Sequence, residues 1–205
     1  DAENSREYVV IANFGPWHPD VAAVNQETTI DARNVLAAPN GFRPLPAYAG
    51  LTSALVADCA GAYGVRSTDN APATFAGTVA GLYKLDSSLA WVDATKLASS
   101  YGVPAGDRWS WCLFGNNVIA SNSIDPIQTF DLASASRFTD LAATAPKAKY
   151  VATIGDFLFA ANLVVGGVAY GNRIQWSGVG NSTFWTVGSQ QSDSQDLYSG
   201  GPCTV

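Results

Sequence analysis

The stretch "WSWCLFGNNVIASN" (Trp109–Asn122) decides the fold. Two runs of aromatic and β-branched residues flank Gly115-Asn116-Asn117, so it reads as two strands joined by a tight turn. Relatives of its second arm lie on both sides. Phe75-Ala76-Gly77-Thr78, Ile119-Ala120-Ser121-Asn122 and Phe159-Ala160-Ala161-Asn162 align at offsets of 44 and 40 residues.

Working outward, each copy belongs to a longer unit of four segments. The first unit holds Gly61–Arg66, Thr74–Thr78, Leu82–Asp86 and Trp91–Asp93. The second holds Trp109–Phe114, Val118–Asn122, Ile127–Asp131 and Phe138–Asp140. The third holds Lys149–Ile154, Phe157–Asn162, Arg173–Ser177 and Phe184–Thr186. Third segments align at Leu85, Phe130 and Trp176, with offsets of 45 and 46; fourth segments align at Trp91, Phe138 and Phe184, with offsets of 47 and 46. Four short strands repeating in this way have the spacing of propeller blades. A four-stranded sheet cannot bury both faces alone, and stacking the next sheet covers one of them.

The fold expected is therefore all-β, a β-propeller-like array of four-stranded antiparallel blades. About three blades are present, over residues 53–97, 105–145 and 147–190, and residues 200–205 read as the first strand of another. Three blades leave the ring incomplete, since propellers have about 4–8. The structural blade positions expected are Phe75, Leu85, Trp91, Ile119, Phe130, Phe138, Phe159, Trp176 and Phe184, with the aromatics heading the fourth segments, Trp91, Phe138 and Phe184, filling the gaps between sheets. Asp69-Asn70-Ala71-Pro72 and Gly155-Asp156 mark further hairpin turns. Tyr150–Val165 reads as a buried hairpin, broken by Gly155, Asp156 and Asn162, and falls short of the ~20 apolar residues of a membrane helix.

Residues 1–52 form a separate leader. Pro16, Pro19, Gly41, Pro44 and Pro46 demand extended, turning backbone, with room for one short helical turn between Val21 and Val35. The polar start, Asp1–Arg6, is not a secretory signal. The chain has no methionine, which fits a processed form or an excised fragment.

Composition narrows the function. Charged residues make up 14 % of the 205 residues, against roughly 25 % in an average soluble domain. Such a chain gains by burying surface against neighbours. Its net charge of −6 and 11 basic residues argue against tight nucleic-acid binding, since phosphate binding needs a basic patch and Lys147 with Lys149 do not make one. Cys59, Cys112 and Cys203 read as buried or half-buried thiols of a reducing compartment, with one disulfide plus a free thiol as the alternative.

Chemistry is sparse. His18 is the one histidine, and it sits in a Trp/Pro loop with no serine elbow to serve. No Cys/His pair has zinc spacing, and Asp125, Asp131 and Asp140 do not form a calcium loop. Asp86 matches Asp131 and Asp93 matches Asp140 in the repeat, as expected of turn caps. Asp58, Asp86, Asp107 and Asp156 are the candidates for a glycosidase pair, and nothing in the sequence brings two together. Gly166-Gly167 precedes no helix and reads as a loop. The six tryptophans could offer sugar-stacking faces, although most fall in repeat strands. Asn181-Ser182-Thr183 matches a glycosylation sequon. The expectation is no enzyme, no cofactor and no metal.

Several stretches also resemble phage virion proteins. "PWHPDVAAVNQETTIDARNVLAAPNGFRPLP" (Pro16–Pro46), "FGNNVIASNSIDPIQTFDL" (Phe114–Leu132) and "NRIQWSGVGNSTFWT" (Asn172–Thr186) are similar to the tail-nozzle and packaged-DNA-stabilisation kind. So is Ser192–Leu197 before Gly200-Gly201. The resemblance implies a propeller subunit of a homo-oligomeric ring or tube in the virion tail, assembled in the host cytoplasm. It implies adaptor or portal proteins and a tail fibre or tailspike as partners. DNA would pass through without sequence-specific binding, retained until ejection. The alternatives are a lectin-like carbohydrate-binding propeller and a propeller glycosidase.

Overall fold

The computed structural model describes residues 15–18, 20, 29, 31–38, 41–47, 49–198 and 201–204. The chain forms two compact units, Asp1–Gly50 and Leu51–Val205. In the first, strands β1 (Val35–Ala38) and β2 (Gly41–Pro44) make an antiparallel hairpin with Val35 opposite Pro44. A parallel bridge joins Trp17 to Thr29, where the His18 N–H donates to the Thr29 carbonyl. Most of the span suited to a helical turn, residues 21–28 and 30, lies outside the described residues, and Val35 opens β1.

The second unit is all strand and turn, with no helix among the described residues. Its first sheet contains β3 (Ala62–Arg66), β4 (Pro72–Gly77), β5 (Leu82–Leu85) and β6 (Trp91–Asp93). The second contains β7 (Ser110–Phe114), β8 (Asn117–Ser121), β9 (Gln128–Asp131) and β10 (Thr139–Asp140). The third contains β11 (Lys147–Ile154), β12 (Phe157–Val165), β13 (Val168–Trp176) and β14 (Asp193–Asp196). Within each sheet the strands run antiparallel in chain order. The described residues of this unit thus form an all-β array of three four-stranded blades, propeller-like in arrangement.

Turn chemistry sets the hairpins. Gly115 (φ 59°) and Gly155 (φ 56°) carry the positive φ that a two-residue hairpin turn needs. Asn70 (φ 62°) does the same between β3 and β4, where its N–H donates to the Ser67 carbonyl.

Two cores separate the three blades. Phe75, Leu82, Val118, Ala120, Phe130 and Phe138 lie between the first and second. Ile119, Ile127, Leu141, Val151, Leu158, Ala160 and Trp185 lie between the second and third. Alternation explains the division: Val118 and Ala120 point one way from β8, and Ile119 points the other. Burying a side chain such as Phe130 in full is worth about 1.5–3 kcal/mol.

First strands of successive blades approach closely. The Trp109 N–H, just before β7, donates to Ala60 O, just before β3 (2.8 Å). The Val151 N–H of β11 donates to Ser110 Oγ of β7 (3.0 Å), and Thr153 Oγ1 donates to Leu113 O (2.7 Å). Farther out the first two blades part, leaving a groove of about 760 Å3 bordered by Ala73, Lys84, Val92, Phe130 and Ala135. Blades that converge on their first strands and splay outward are wedges, as a propeller requires.

Three expectations need correction. The third blade's fourth strand is Asp193–Asp196, not Phe184–Thr186, so the sheet reaches past residue 190. Phe184 is half-buried in the preceding loop, while its neighbour Trp185 enters the core. The Tyr150–Val165 hairpin is buried on one face only: Leu158 and Ala160 are sealed, whereas Ile154 is 59 % exposed. Residues 201–204 form no strand. Among these described residues the Cys203 N–H donates to Gly171 O of β13.

Candidate interaction faces at the two ends of the blade array

Register defines equivalent places in the blades. Phe75 pairs with Lys84, Ile119 with Thr129 and Phe159 with Trp176. By alternation, Phe75 faces the second blade and Ile119 the third. Phe159 faces away from both, on the far side of the third sheet. Phe75 and Ile119 are wholly buried, whereas Phe159 is half-buried.

The register also corrects the sequence alignment at Trp176. It sits where Lys84 and Thr129 sit, one place before the position of Leu85 and Phe130. A one-residue offset moves a side chain to the opposite face of a sheet. Trp176 therefore stacks on Phe159 at the open end (5.6 Å between centroids, 29° between planes), and Phe157 meets Phe159 edge-on at 6.4 Å. Ser177 takes the Leu85 and Phe130 place. Its Oγ accepts the Leu158 N–H (3.0 Å) and closes the strand end.

The first blade has an open face of the opposite kind. Leu85 and Trp91 occupy the places of Phe130 and Phe138, both wholly buried in the middle blade. Here they are half-buried. The Trp91 indole N–H donates to Thr52 Oγ1 (3.3 Å), and its backbone N–H donates to Ser53 Oγ (3.0 Å). Gly64 lies on the same side, with open space where a side chain would point.

Of the nine expected blade residues, Phe75, Ile119, Phe130 and Phe138 are thus core. Leu85 and Trp91 line one end, Phe159 and Trp176 line the other, and Phe184 is a loop residue.

Charged groups tie the blades together. Lys96, after β6, pairs with Asp140 of β10 (2.9 Å). Arg137, before β10, pairs with Asp93 of β6 (3.1 Å). This crossed latch joins the outer strands of the first two blades. Burial works against ionised Asp140, yet bonds from Lys96 and Gln128 hold its carboxyl below the usual value. Lys149 of β11 reaches Asp107 (2.6 Å) in the crossover before β7. Inside the third blade Arg173 grips Asp196 through two bonds (2.5 and 2.8 Å) and lies 3.9 Å over the Tyr170 ring. Pairs at such exposed positions add about 0–1 kcal/mol each, so they fix register more than they stabilise.

Asp86 and Asp131 are the turn caps that the repeat implies. Asp86 accepts from the Ser88 and Ala90 N–H groups, and Asp131 accepts from the Ala133 N–H and the Ser134 hydroxyl. Asp93 also caps the Thr95 N–H. Asp140 caps no backbone group and instead holds Lys96 and Gln128. The four glycosidase candidates stay on separate elements: Asp58 in the approach to β3, Asp86 in the β5–β6 turn, Asp107 in the crossover and Asp156 in the β11–β12 turn. Among the described residues no three His, Cys, Asp or Glu side chains cluster as a metal site would.

The cysteines are unpaired. Cys112 is buried, and burial pushes its thiol up to about 11; Cys203 is half-buried; Cys59 is exposed, against the expectation of three sheltered thiols. Sequence reasoning singled out neither Tyr101 nor Gln128, whereas it placed Trp185 in a repeat segment and the core, where it lies. The Tyr101 hydroxyl donates to Gln128 Oε1 (2.9 Å), and burial pushes it up to about 12. Trp185 donates its indole N–H to Ser182 O and accepts from Gln175 on its carbonyl. Tyr101 lies off the aligned repeat segments, and Gln128 lies within one, but its polar side chain gave no sign of burial.

Searches of known protein families and of curated proteins find no match to this chain.

Proposed function

We propose that the chain is a structural subunit of a phage tail, of the nozzle and packaged-DNA-stabilisation kind, working by assembly and not by catalysis. The observation that carries this reading is the stack of three four-stranded antiparallel blades, the arrangement that the resemblance implies. The low charge favours burial against other proteins. A net charge of −6 suits a channel wall past which DNA slides without sticking. The sequence resemblance supplies the virion setting, with portal, adaptor and fibre proteins as neighbours.

The test uses virions of the genome that encodes the chain. Antibodies to it label the tail end of purified particles, and particles assembled without it leak packaged DNA. Absence of the chain from purified virions would overturn the assignment.

The half-exposed stack of Phe159 and Trp176 favours one second reading, a carbohydrate-binding propeller. That reading predicts glycan-array binding that Trp176→Ala removes.

A further inference from the structure

We propose that the groove between the first and second blades binds one aliphatic carboxylate, with its charge held by Lys84. Both walls of the groove belong to one compact unit. The site therefore depends on nothing that adjoins the blade array, and it stands apart from the virion assignment.

The walls are apolar and partly uncovered. Val92 is 49 % exposed and Leu89 is 38 % exposed, and with Ala73 and Ala135 they line a groove of about 760 Å3. Small-molecule sites occupy about 300–1,000 Å3. Lys84 stands opposite Phe75 on one neighbouring strand and Val92 on the other, so its side chain leaves the sheet on the groove side. Its ammonium lies 5.0 Å from the centre of the sealed Phe130 ring.

Lys84 lacks an acid. Lys96, Arg137, Lys149 and Arg173 each hold an aspartate, whereas among the described residues Lys84 forms no salt bridge. A half-buried cation among apolar groups gains from an anionic partner. Asp86 also borders the groove, but its Oδ1 is taken by the Ser88 hydroxyl and by the Ser88 and Ala90 N–H groups. A single free cation on a chain of net charge −6 suits a singly charged carboxylate better than a phosphate.

The lip of the groove is strained. Leu89 has a φ of 61°, a left-handed conformation that favours Gly or Asn. The matching turn of the second blade, Asp131–Ala135, has no residue of this kind. A strained leucine held half-open beside a groove points to contact with a ligand.

The experiment titrates the isotope-labelled full chain with decanoate below its micelle concentration and follows backbone amide shifts. Saturable shifts centre on Ala73, Lys84, Leu89, Val92 and Ala135. Affinity rises about fourfold per methylene from hexanoate to decanoate. Decanol and decylammonium bind on the order of tenfold more weakly than decanoate. Lys84→Met keeps the apolar stem and loses the preference for decanoate over decanol, whereas Lys84→Arg retains it. Leu89→Gly suits the left-handed backbone, yet weakens decanoate severalfold. Absence of saturation, or shifts centred elsewhere, would overturn the proposal. So would decylammonium binding as tightly as decanoate, or Lys84→Met binding decanoate as tightly as wild type.

Discussion

Phe75 and Phe159 hold the same place in the first and third repeats, opposite Lys84 and Trp176, yet Phe75 is sealed against Phe130 and Phe138 while Phe159 is half open. Their chemistry is identical and their strand geometry is equivalent. The difference is whether another blade covers the sheet.

That contrast predicts unequal mutational costs. Phe75→Ala removes a ring from a packed aromatic cluster and leaves a cavity, costing about 3–5 kcal/mol. Phe159→Ala opens no closed cavity and costs well under half of that. Urea unfolding of the two variants at low protein concentration measures both. Equal losses would mean that the faces are not distinguished by cover.

Gly77 and Gly64 make a second pair. A methyl group on Gly77 would lie 2.2 Å from Trp109 Cδ1, in a ring fixed by its N–H bond to Thr78 O (2.8 Å). Gly77→Ala must displace that ring and costs about 1–3 kcal/mol from overpacking. Gly64 has no atom within 4 Å of that position, so Gly64→Ala is close to neutral. Thermal melting separates the two.

Acid weakens the second unit. The Asp86 carboxyl sits below its ordinary 3.8 because of bonds from the Ala90 N–H and Ser88, Asp131 because of Ser134 and the Ala133 N–H, and Asp196 because of Arg173. A carboxyl whose folded value is depressed adds stability above its unfolded value, and that stability is lost as pH falls through the folded value. Unfolding free energy is therefore level from neutral pH to about pH 5 and falls below about pH 4. Asp131→Ala lowers the plateau and flattens the fall.

The thiols react in a fixed order. Alkylation at neutral pH modifies Cys59 first, Cys203 next, and Cys112 only on unfolding, since Cys112 is buried with its thiol pushed up to about 11. Intact-mass measurement over time gives the order. Early loss of Cys112 in the folded protein would contradict the second core.

Much of this architecture is legible in the sequence, because aromatic and β-branched runs around Gly115 and Gly155 carry their own turn and strand signals. The fourth strand of the third blade is not. Asp193-Ser194-Gln195-Asp196 has no apolar alternation, and it holds its place by pairing with β13 and by the Arg173–Asp196 grip. Phe184-Trp185-Thr186 has the stronger strand propensity, but its Trp185 is spent anchoring a loop in the core. The aligned position of Trp176 failed for a related reason. Aromatic residues mark a strand without saying which face they occupy, and register is set by hydrogen bonding across strands. The open faces are legible only once that register is known.

Cross-strand amide and side-chain NOEs in the 21.4 kDa chain test the three-blade register most directly. The account predicts contacts of Phe75 with Lys84, Ile119 with Thr129, Phe159 with Trp176, and Trp176 with Asp193. A backbone ladder that pairs Phe184–Thr186 as a strand with Arg173–Trp176, or Phe159 opposite Ser177, would contradict it.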